Sequence, residues 1–312
     1  MNGVPVVDCR GGYDGAAIIK AIRSIGCVYL NCGCGQCGYT KNDVEQTMGA
    51  GESLWALSSH EKKQIHFSHQ VKHSAPVGYY GPGSEHLDPC HWETETRESY
   101  NFCPAAEGQF DKYMPPAEKL PNFRSSMENC FGKCKDISFK IMEALAKELK
   151  LEADFFTKAH KDMGVKHNAT TLRLLHYPPT DNGKAGLVLC GEHSDYGTMT
   201  LIFQNDAGGL EVEGPDGVWR KVAPVDGLVL LLMGDMMQRW TSDYLHAAKH
   251  RVVLAGPKEQ QGKVRHSVAA YIQSDDAYVV QPATSPVLPP PNPSYQPITS
   301  AEHIQHMINL TY

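Results

Sequence analysis

The chain has 312 residues, of which 41% are hydrophobic and 21% are charged, as is usual for a folded globular protein. Its formal net charge of −6 gives no reason to expect nucleic acid or an anionic membrane as a partner. The start shows no pattern of a signal peptide, and the longest apolar run, 228–233, is too short to span a bilayer. We therefore expect a cytoplasmic protein, and we also expect it to be a monomer.

The cysteines are the first feature that needs an interpretation. There are 10 of them, and in a reducing compartment they are expected to be thiols. Cys32, Cys34 and Cys37 have the spacing C-x-C-x-x-C, which raises the question of a zinc or iron–sulfur site. No second pair of cysteine or histidine ligands is near them in the sequence, so we expect a tight glycine-rich turn after a buried strand.

The first third of the chain mixes helices and loops. Apolar residues recur at helical spacing over 14–25, and Gly26 is placed to end that helix. A second helix is expected over 44–57, although two glycines weaken its middle. Residues 68–101 are polar and carry glycines and prolines, which predicts a long ordered loop of the kind that forms lids or pocket walls.

The rest of the chain changes from one long helix to strands. Residues 121–150 carry an apolar stripe at helical spacing, which predicts a helix that braces a sheet. Thr299 and Glu302 form a capping box for a closing helix over 301–309. About eight short antiparallel strands between them favour a mainly β fold, a jelly roll or double-stranded β-helix with flanking helices. The predicted strands are 172–177, 187–189, 198–204, 210–213, 218–222, 228–232, 250–254, 267–273 and 278–281.

No linker separates independent domains in this pattern. We expect residues 1–120 to form an N-terminal helical and loop region of the same fold. Residues 121–312 would then form the bracing helix, the jelly-roll core and the C-terminal helix.

His193, Asp195 and His250 form the most informative motif. Alternate side chains of a strand share a face, so His193 and Asp195 would point the same way, and His250 would come from a distant strand. Two imidazoles and one carboxylate on one metal leave several coordination positions open. That arrangement suits non-haem Fe(II), which must bind O₂ and a co-substrate together.

This motif and its context resemble one known family. The chain is similar over most of its length to the Fe(II)- and 2-oxoglutarate-dependent dioxygenases of the isopenicillin N synthase-like superfamily. The segments that carry the resemblance, besides the metal motif, are 4–8, 26–33, 61–63, 78–80, 173–179, 208–212 and the Arg265-His266-Ser267 run. The resemblance implies a jelly-roll enzyme in which His193, Asp195 and His250 hold the iron.

Strand spacing and the family resemblance both indicate which residues bind the co-substrate. Arg265 and Ser267 are two apart on a predicted strand, so a guanidinium and a hydroxyl point the same way and can hold a carboxylate. The resemblance implies that this carboxylate is the distal one of 2-oxoglutarate, and that Tyr177 assists there. Arg173 shares the face of Tyr177, and we expect it to meet a carboxylate, either of the substrate or of the protein itself.

The substrate contacts are the least specified part of the site. Residues 97–102 resemble the strand that lines the family's pocket. Arg97, Ser99 and Asn101 should face one way and their neighbours the other, but a bulge would mix the two sets. The substrate candidates are Arg97, Tyr100, Phe102, Arg173, Phe203 and Trp240.

The resemblance implies that a small-molecule metabolite, expected to belong to secondary metabolism, is oxidised with Fe(II), 2-oxoglutarate and O₂. Hydroxylation of a C–H bond is the default outcome; desaturation and ring closure, as in kainoid-type oxidative cyclases, are alternatives. An iron-dependent oxidase of the same fold that does not use 2-oxoglutarate is the nearer rival, because isopenicillin N synthase also carries the Arg-x-Ser pair. A non-enzymatic cupin-like binding protein is the more distant one.

Overall fold

The structure of the chain is a computed structural model, which describes residues 3–33, 40–67, 77–85, 96–104, 110–165, 167–179, 185–254 and 262–311. The helices are α1 (Gly15–Ile25), α2 (Lys41–Trp55), α3 (Ser59–Gln64), α4 (Phe123–Glu148), α5 (Asp235–Trp240) and α6 (Ser300–Thr311). The strands are β1 (Val6–Asp8), β2 (Cys27–Asn31), β3 (Gly78–Tyr80), β4 (Glu98–Phe102), β5 (Thr171–Tyr177), β6 (Val188–His193), β7 (Met199–Gln204), β8 (Leu210–Glu213), β9 (Trp219–Lys221), β10 (Val229–Met233), β11 (His250–Val253), β12 (Arg265–Ile272), β13 (Val279–Val280) and β14 (Ile298–Thr299).

Two sheets form the centre of the fold. The larger has the strand order β1-β2-β10-β7-β12-β5-β4-β3, and the smaller has the order β6-β11-β8-β9. Strands β5 to β12 are therefore divided four and four between the two sheets, and their pairs are antiparallel. This is the predicted jelly roll, and the prediction is confirmed. Strands β1 and β2 of the N-terminal region extend the larger sheet beyond β10.

Side-chain alternation along β12 separates the two faces of the larger sheet. Val268, Ala270 and Ile272 point to the helices and are buried in the main hydrophobic core. The intervening residues point toward the smaller sheet and line a cavity between the two sheets. They are Arg265, Ser267, Ala269, Tyr271 and, just beyond the strand, Gln273.

Helix α4 covers the outer face of the larger sheet, as the apolar stripe predicts. Its buried residues include Met127, Ile137 and Ile141, and they join the same core as the outward residues of β5 and β12. A separate core fills the space between the sheets with residues such as Leu210 and Val252. Among the described residues, no helix is long and apolar enough to cross a membrane.

The ends of three helices follow from local chemistry. Asp14 caps α1, its side chain accepting from the N–H of Ala17, and Gly26 ends the helix with φ of 90°. Helix α2 begins three residues earlier than predicted, because Thr40 and Asp43 form a capping box, and its glycines do not interrupt it. The capping box of Thr299 and Glu302 at the start of α6 is confirmed.

Several predicted boundaries are corrected. The strand predicted at 278–281 is only β13, which pairs with β14 outside the jelly roll. The stretch predicted as a loop over 68–101 contains β3 and most of β4; residues 68–76 and 86–95 lie outside the described residues. Cys32 is buried at the end of a strand, as expected, whereas Cys34 and Cys37 lie outside the described residues.

Candidate metal centre and the cavity around it

The side chains of His193, Asp195 and His250 converge in the cavity. His193 ends β6 and His250 begins β11, and the two are register partners in the smaller sheet. The Nε2 atoms of His193 and His250 lie 3.9 Å and 3.7 Å from Oδ1 of Asp195. One ligand atom from each residue lies within 4.8 Å of the other two. Atoms bound to one metal ion at about 2.1 Å each lie at most about 4.2 Å apart, so the distance from each imidazole to Asp195 fits a shared ion.

The hydrogen bonds of the two imidazoles fix which nitrogen faces the ion. Nδ1 of His193 lies 2.9 Å from the carbonyl oxygen of Gly191, and Nδ1 of His250 lies 3.2 Å from that of Ala248. A carbonyl oxygen only accepts, so each Nδ1 carries the proton and donates it. Each Nε2 is therefore left with a lone pair directed at the cluster, as a metal ligand requires.

Burial shifts the pKa values of two of these groups, His193 and Asp195. Burial, with a smaller effect of the neighbouring His250, holds the pKa of His193 well below its usual value, so this imidazole is neutral. Burial raises the pKa of Asp195, while His250 and a hydrogen bond from the hydroxyl of Thr200 at 2.5 Å oppose that rise. A buried carboxylate is costly without a cation, and an ion bound between these residues would remove that cost.

Asp195 does not lie within the strand, contrary to the expected alternation, because β6 ends at His193. Two hydrogen bonds hold the following segment instead. The N–H of Asp235 donates to the carbonyl oxygen of Asp195 at 2.8 Å, and the hydroxyl of Ser194 donates to the Asp235 carboxylate at 2.8 Å. A Cβ at Gly234 would clash with the carbonyl oxygen of Gly197, so the turn requires glycine.

Arg265 lies in the same cavity and is 5% exposed. Its guanidinium donates to the carbonyl oxygen of Gly208 at 2.9 Å, to the hydroxyl of Ser267 at 2.9 Å and to the carbonyl of the Gln204 side chain at 3.2 Å. Its Cζ lies 4.8 Å from the ring centre of Tyr177, its register partner on β5. Across the described part of the chain, no carboxylate contacts this guanidinium, so the buried charge has only neutral partners.

A second group of charged residues lines another wall of the cavity. Arg97, at 5% exposure, has a guanidinium nitrogen 3.6 Å from the carboxylate of Glu85. Arg173 on β5 forms an ion pair with the same carboxylate and donates to the hydroxyl of Ser99 at 2.5 Å. The carboxylate expected to meet Arg173 is thus supplied by the chain itself.

Four of the six predicted substrate contacts do not line the cavity. Strand β4 has regular register with β3 and β5, so no bulge mixes its faces, and Arg97 and Asn101 are on the cavity side. Tyr100 points to the helices instead, with its ring 5.3 Å from that of Phe123. The prediction is therefore corrected for these residues, which belong to the hydrophobic core: Tyr100, Phe102, Phe203 and Trp240.

The sequence interpretation missed several residues that line or support this cavity. Thr200 and Tyr271 follow from alternation along β7 and β12, and the sequence contains that signal. Glu85 and the C-terminal residues Ile304 and Ile308 approach from segments that no local pattern connects with the metal motif.

The comparisons with known proteins agree with this geometry. The family model of the 2OG-Fe(II) oxygenase superfamily matches residues 168–274, which contain the whole candidate metal centre and Arg265. A 2-oxoglutarate-Fe(II) type oxidoreductase, ppzD of the fungus Metarhizium rileyi, is 30% identical over 310 residues, which cover 95% of this chain and 85% of that protein.

Solved structures are similar over nearly the whole chain. A full-length protein of Neurospora crassa, solved in complex with alpha-KG, which is 2-oxoglutarate, superimposes with a TM-score of 0.82 at 26% identity, covering 98% of this chain and 95% of that one. A putative 2OG-Fe(II) oxygenase family protein of Caulobacter crescentus gives 0.81 at 25% identity, covering 99% of each chain.

The chain belongs to the 2OG-Fe(II) oxygenase superfamily. It is a 2-oxoglutarate-dependent dioxygenase whose cofactor is Fe(II) and whose co-substrates are 2-oxoglutarate and O₂.

Proposed function

We propose that His193, Asp195 and His250 are the iron ligands of this oxygenase. The observation that carries this assignment is the convergence of their ligand atoms within 4.8 Å. Two neutral nitrogens and one carboxylate oxygen are the donor set of non-haem Fe(II) oxygenases. Gly191 and Ala248 orient the imidazoles through their carbonyl oxygens, and Thr200 holds the second carboxylate oxygen of Asp195.

We propose further that Arg265, Ser267 and Tyr177 bind the distal carboxylate of 2-oxoglutarate. A buried guanidinium that has only neutral partners in the described residues is complementary to an anionic ligand. Burial raises the pKa of the Tyr177 phenol, so its hydroxyl stays protonated and available as a donor. The apolar residues between Arg265 and the iron ligands, Leu210 and Val252 among them, exclude water from the co-substrate.

The substrate is proposed to be a small-molecule metabolite that enters beside Arg97, Arg173 and Glu85. Iron with 2-oxoglutarate and O₂ supplies a two-electron oxidation and releases succinate and CO₂. With hydroxylation as the outcome, R–H, 2-oxoglutarate and O₂ give R–OH, succinate and CO₂. Desaturation or ring closure is the other possible outcome, and placement of the substrate by the cavity wall decides among them.

The oligomeric state, domain organisation and location of the protein are also proposed. We propose a monomer whose N-terminal region, 1–120, and jelly-roll region, 121–312, form one fold that acts without nucleic acid, which the net charge of −6 supports. A cytoplasmic location is also proposed, because the seven cysteines of the described residues are all thiols, as is usual in a reducing compartment.

The experiment that tests the function measures succinate, with and without added 2-oxoglutarate, in protein loaded with Fe(II). We expect slow succinate formation in air even without a primary substrate, and none without 2-oxoglutarate. Iron binding is measured separately under nitrogen by competition with a chelator. Substrate oxidation by the wild type in the absence of 2-oxoglutarate would identify the oxidase of the same fold instead.

A further inference from the structure

A buried amide side chain on β4 lines the cavity without a hydrogen-bond partner in the part of the chain that the structure describes. Asn101 is 4% exposed and is on the cavity side of the strand. Its Oδ1 is buried and has no hydrogen-bond partner among the described residues. Buried polar atoms are nearly always paired in folded proteins, so an orphan at a ligand cavity indicates a group that the ligand satisfies.

The polar neighbours of Asn101 are occupied elsewhere. Arg173 is its register partner on β5, but the Arg173 guanidinium forms an ion pair with Glu85 and donates a hydrogen bond to the hydroxyl of Ser99. Ser99 in turn lies 3.5 Å from the Glu85 carboxylate. None of these contacts includes Asn101, so they do not satisfy its side-chain oxygen.

A second such group lies at the far end of β12. Gln273 is 7% exposed, lines the same cavity and has a buried Oε1 without a hydrogen-bond partner among the described residues. Its side chain packs over Gly197, where an added Cβ would clash with that oxygen. Arg173 is the register partner of Asn101 on one side and of Ala269 on the other. Gln273 lies four residues beyond Ala269, a distance of about 13 Å along the strand direction. One small ring therefore cannot contact both carboxamides.

We infer that the substrate of this oxygenase carries a neutral amide edge, a ring N–H beside a C=O as in a lactam or cyclic imide, and that Asn101 binds this edge. A carboxamide presents one donor and one acceptor side by side, and a ring amide pairs with both at once. A carboxylate would satisfy only the amide nitrogen, and an ammonium group only the oxygen. This inference rests on the proposed function, since it names the substrate class of the same cavity.

The test compares matched ring compounds by calorimetric titration of the Fe(II)-loaded protein with 2-oxoglutarate under nitrogen. The probes are piperidin-2-one, its N-methyl derivative, which has no N–H, and the zwitterion piperidine-2-carboxylate. Losing one hydrogen bond to a buried group costs roughly tenfold in affinity, so we expect the lactam to bind about tenfold more tightly than its N-methyl derivative. We also expect it to bind more tightly than the zwitterion.

Asn101→Leu should abolish that discrimination, and Gln273→Leu, the matched control, should preserve it. Asn101→Leu removes an unpaired polar group and keeps the side-chain size, so its melting temperature should not fall. Three results would each overturn the inference: no saturable lactam binding by the wild type, preference for the zwitterion, or discrimination lost in Gln273→Leu but kept in Asn101→Leu. Succinate formation without primary substrate, measured on the same protein, separates these failures from a failure of the proposed function.

Discussion

Two arginines, the buried Arg265 and the partly buried Arg173, line one cavity from the neighbouring strands β12 and β5, and they differ in what balances their charge. Arg265 donates to a backbone carbonyl, a hydroxyl and a carboxamide. Arg173 forms an ion pair with Glu85. Both side chains are inward-facing, so their sequence positions alone do not distinguish them.

The difference supports the proposal that Arg265 binds a ligand and that Arg173 has a structural role. A buried cation needs an anion nearby, because removing a charge from water costs several kcal/mol. The chain provides that anion for Arg173, whereas in the described residues it provides none for Arg265. We therefore propose that a ligand completes the cavity at Arg265, whereas the fold itself completes the wall at Arg173.

The largest effect is expected at the metal centre, on which both ends of the cavity depend. Asp195→Ala removes the charged ligand, and we expect succinate formation to fall more than about 100-fold, beyond the effect of losing a residue behind a ligand. Iron affinity, measured by chelator competition, should fall with it. Ser194→Ala is the comparison: it removes only one of the two hydrogen bonds that hold the Asp195 segment, so iron affinity should fall less than in Asp195→Ala. Substantial iron-dependent turnover in Asp195→Ala would contradict the ligand assignment.

The next effect concerns the structural arginine. Glu85→Gln removes the carboxylate that Arg173 contacts, and breaking a buried pair typically costs about 3–5 kcal/mol of the free energy of unfolding. Denaturant unfolding measures this change. The control is Asp216→Asn, which breaks the more exposed pair with Arg220 and should cost less than about 1 kcal/mol. Equal losses in the two variants would show that the Glu85 pair does not stabilise the fold.

The next effect is expected at Arg265, where a substitution should change 2-oxoglutarate binding. Arg265→Gln removes the charge that holds 2-oxoglutarate, and a hydrogen bond to a charged group contributes about 1.5–3 kcal/mol, so the KM for 2-oxoglutarate should rise about tenfold or more. Arg265→Lys should recover part of the loss, since lysine restores the positive charge but not the paired N–H donors of the guanidinium. Arg173→Gln should leave this KM unchanged. A similar rise in both glutamine variants would remove the distinction between the two arginines.

The sequence predicted the 2-oxoglutarate end of this cavity much better than the substrate end. His193, His250, Arg265 and Tyr177 lie on or at the ends of jelly-roll strands, where a two-residue alternation decides which side chains face inward. Their convergence therefore follows once the strands are identified. The residue roles remain proposals, but the structure places these side chains together.

The substrate end depends on contacts that no local pattern encodes. Glu85 comes from the segment after β3, and Ile304 comes from α6 at the opposite end of the chain. Which face of β4 is directed at the cavity also depends on tertiary packing, because Tyr100 packs against Phe123 of α4. Alternation predicted two sets of residues on that strand, but only its place beside β5 determines which set faces the cavity.

The smallest effect is expected from Tyr177, which sharpens the account of how Arg265 binds its ligand. Tyr177→Phe keeps the ring that lies 4.8 Å from the guanidinium carbon and removes only the hydroxyl. One hydrogen bond to a charged group contributes about 1.5–3 kcal/mol, so the KM for 2-oxoglutarate should rise about tenfold, and less than in Arg265→Gln, which removes the charge together with its hydrogen bonds. Tyr177→Leu removes the ring as well and should raise the KM further. A rise in Tyr177→Phe as large as that in Arg265→Gln would mean that the hydroxyl, and not the charge, provides most of the binding energy for the carboxylate.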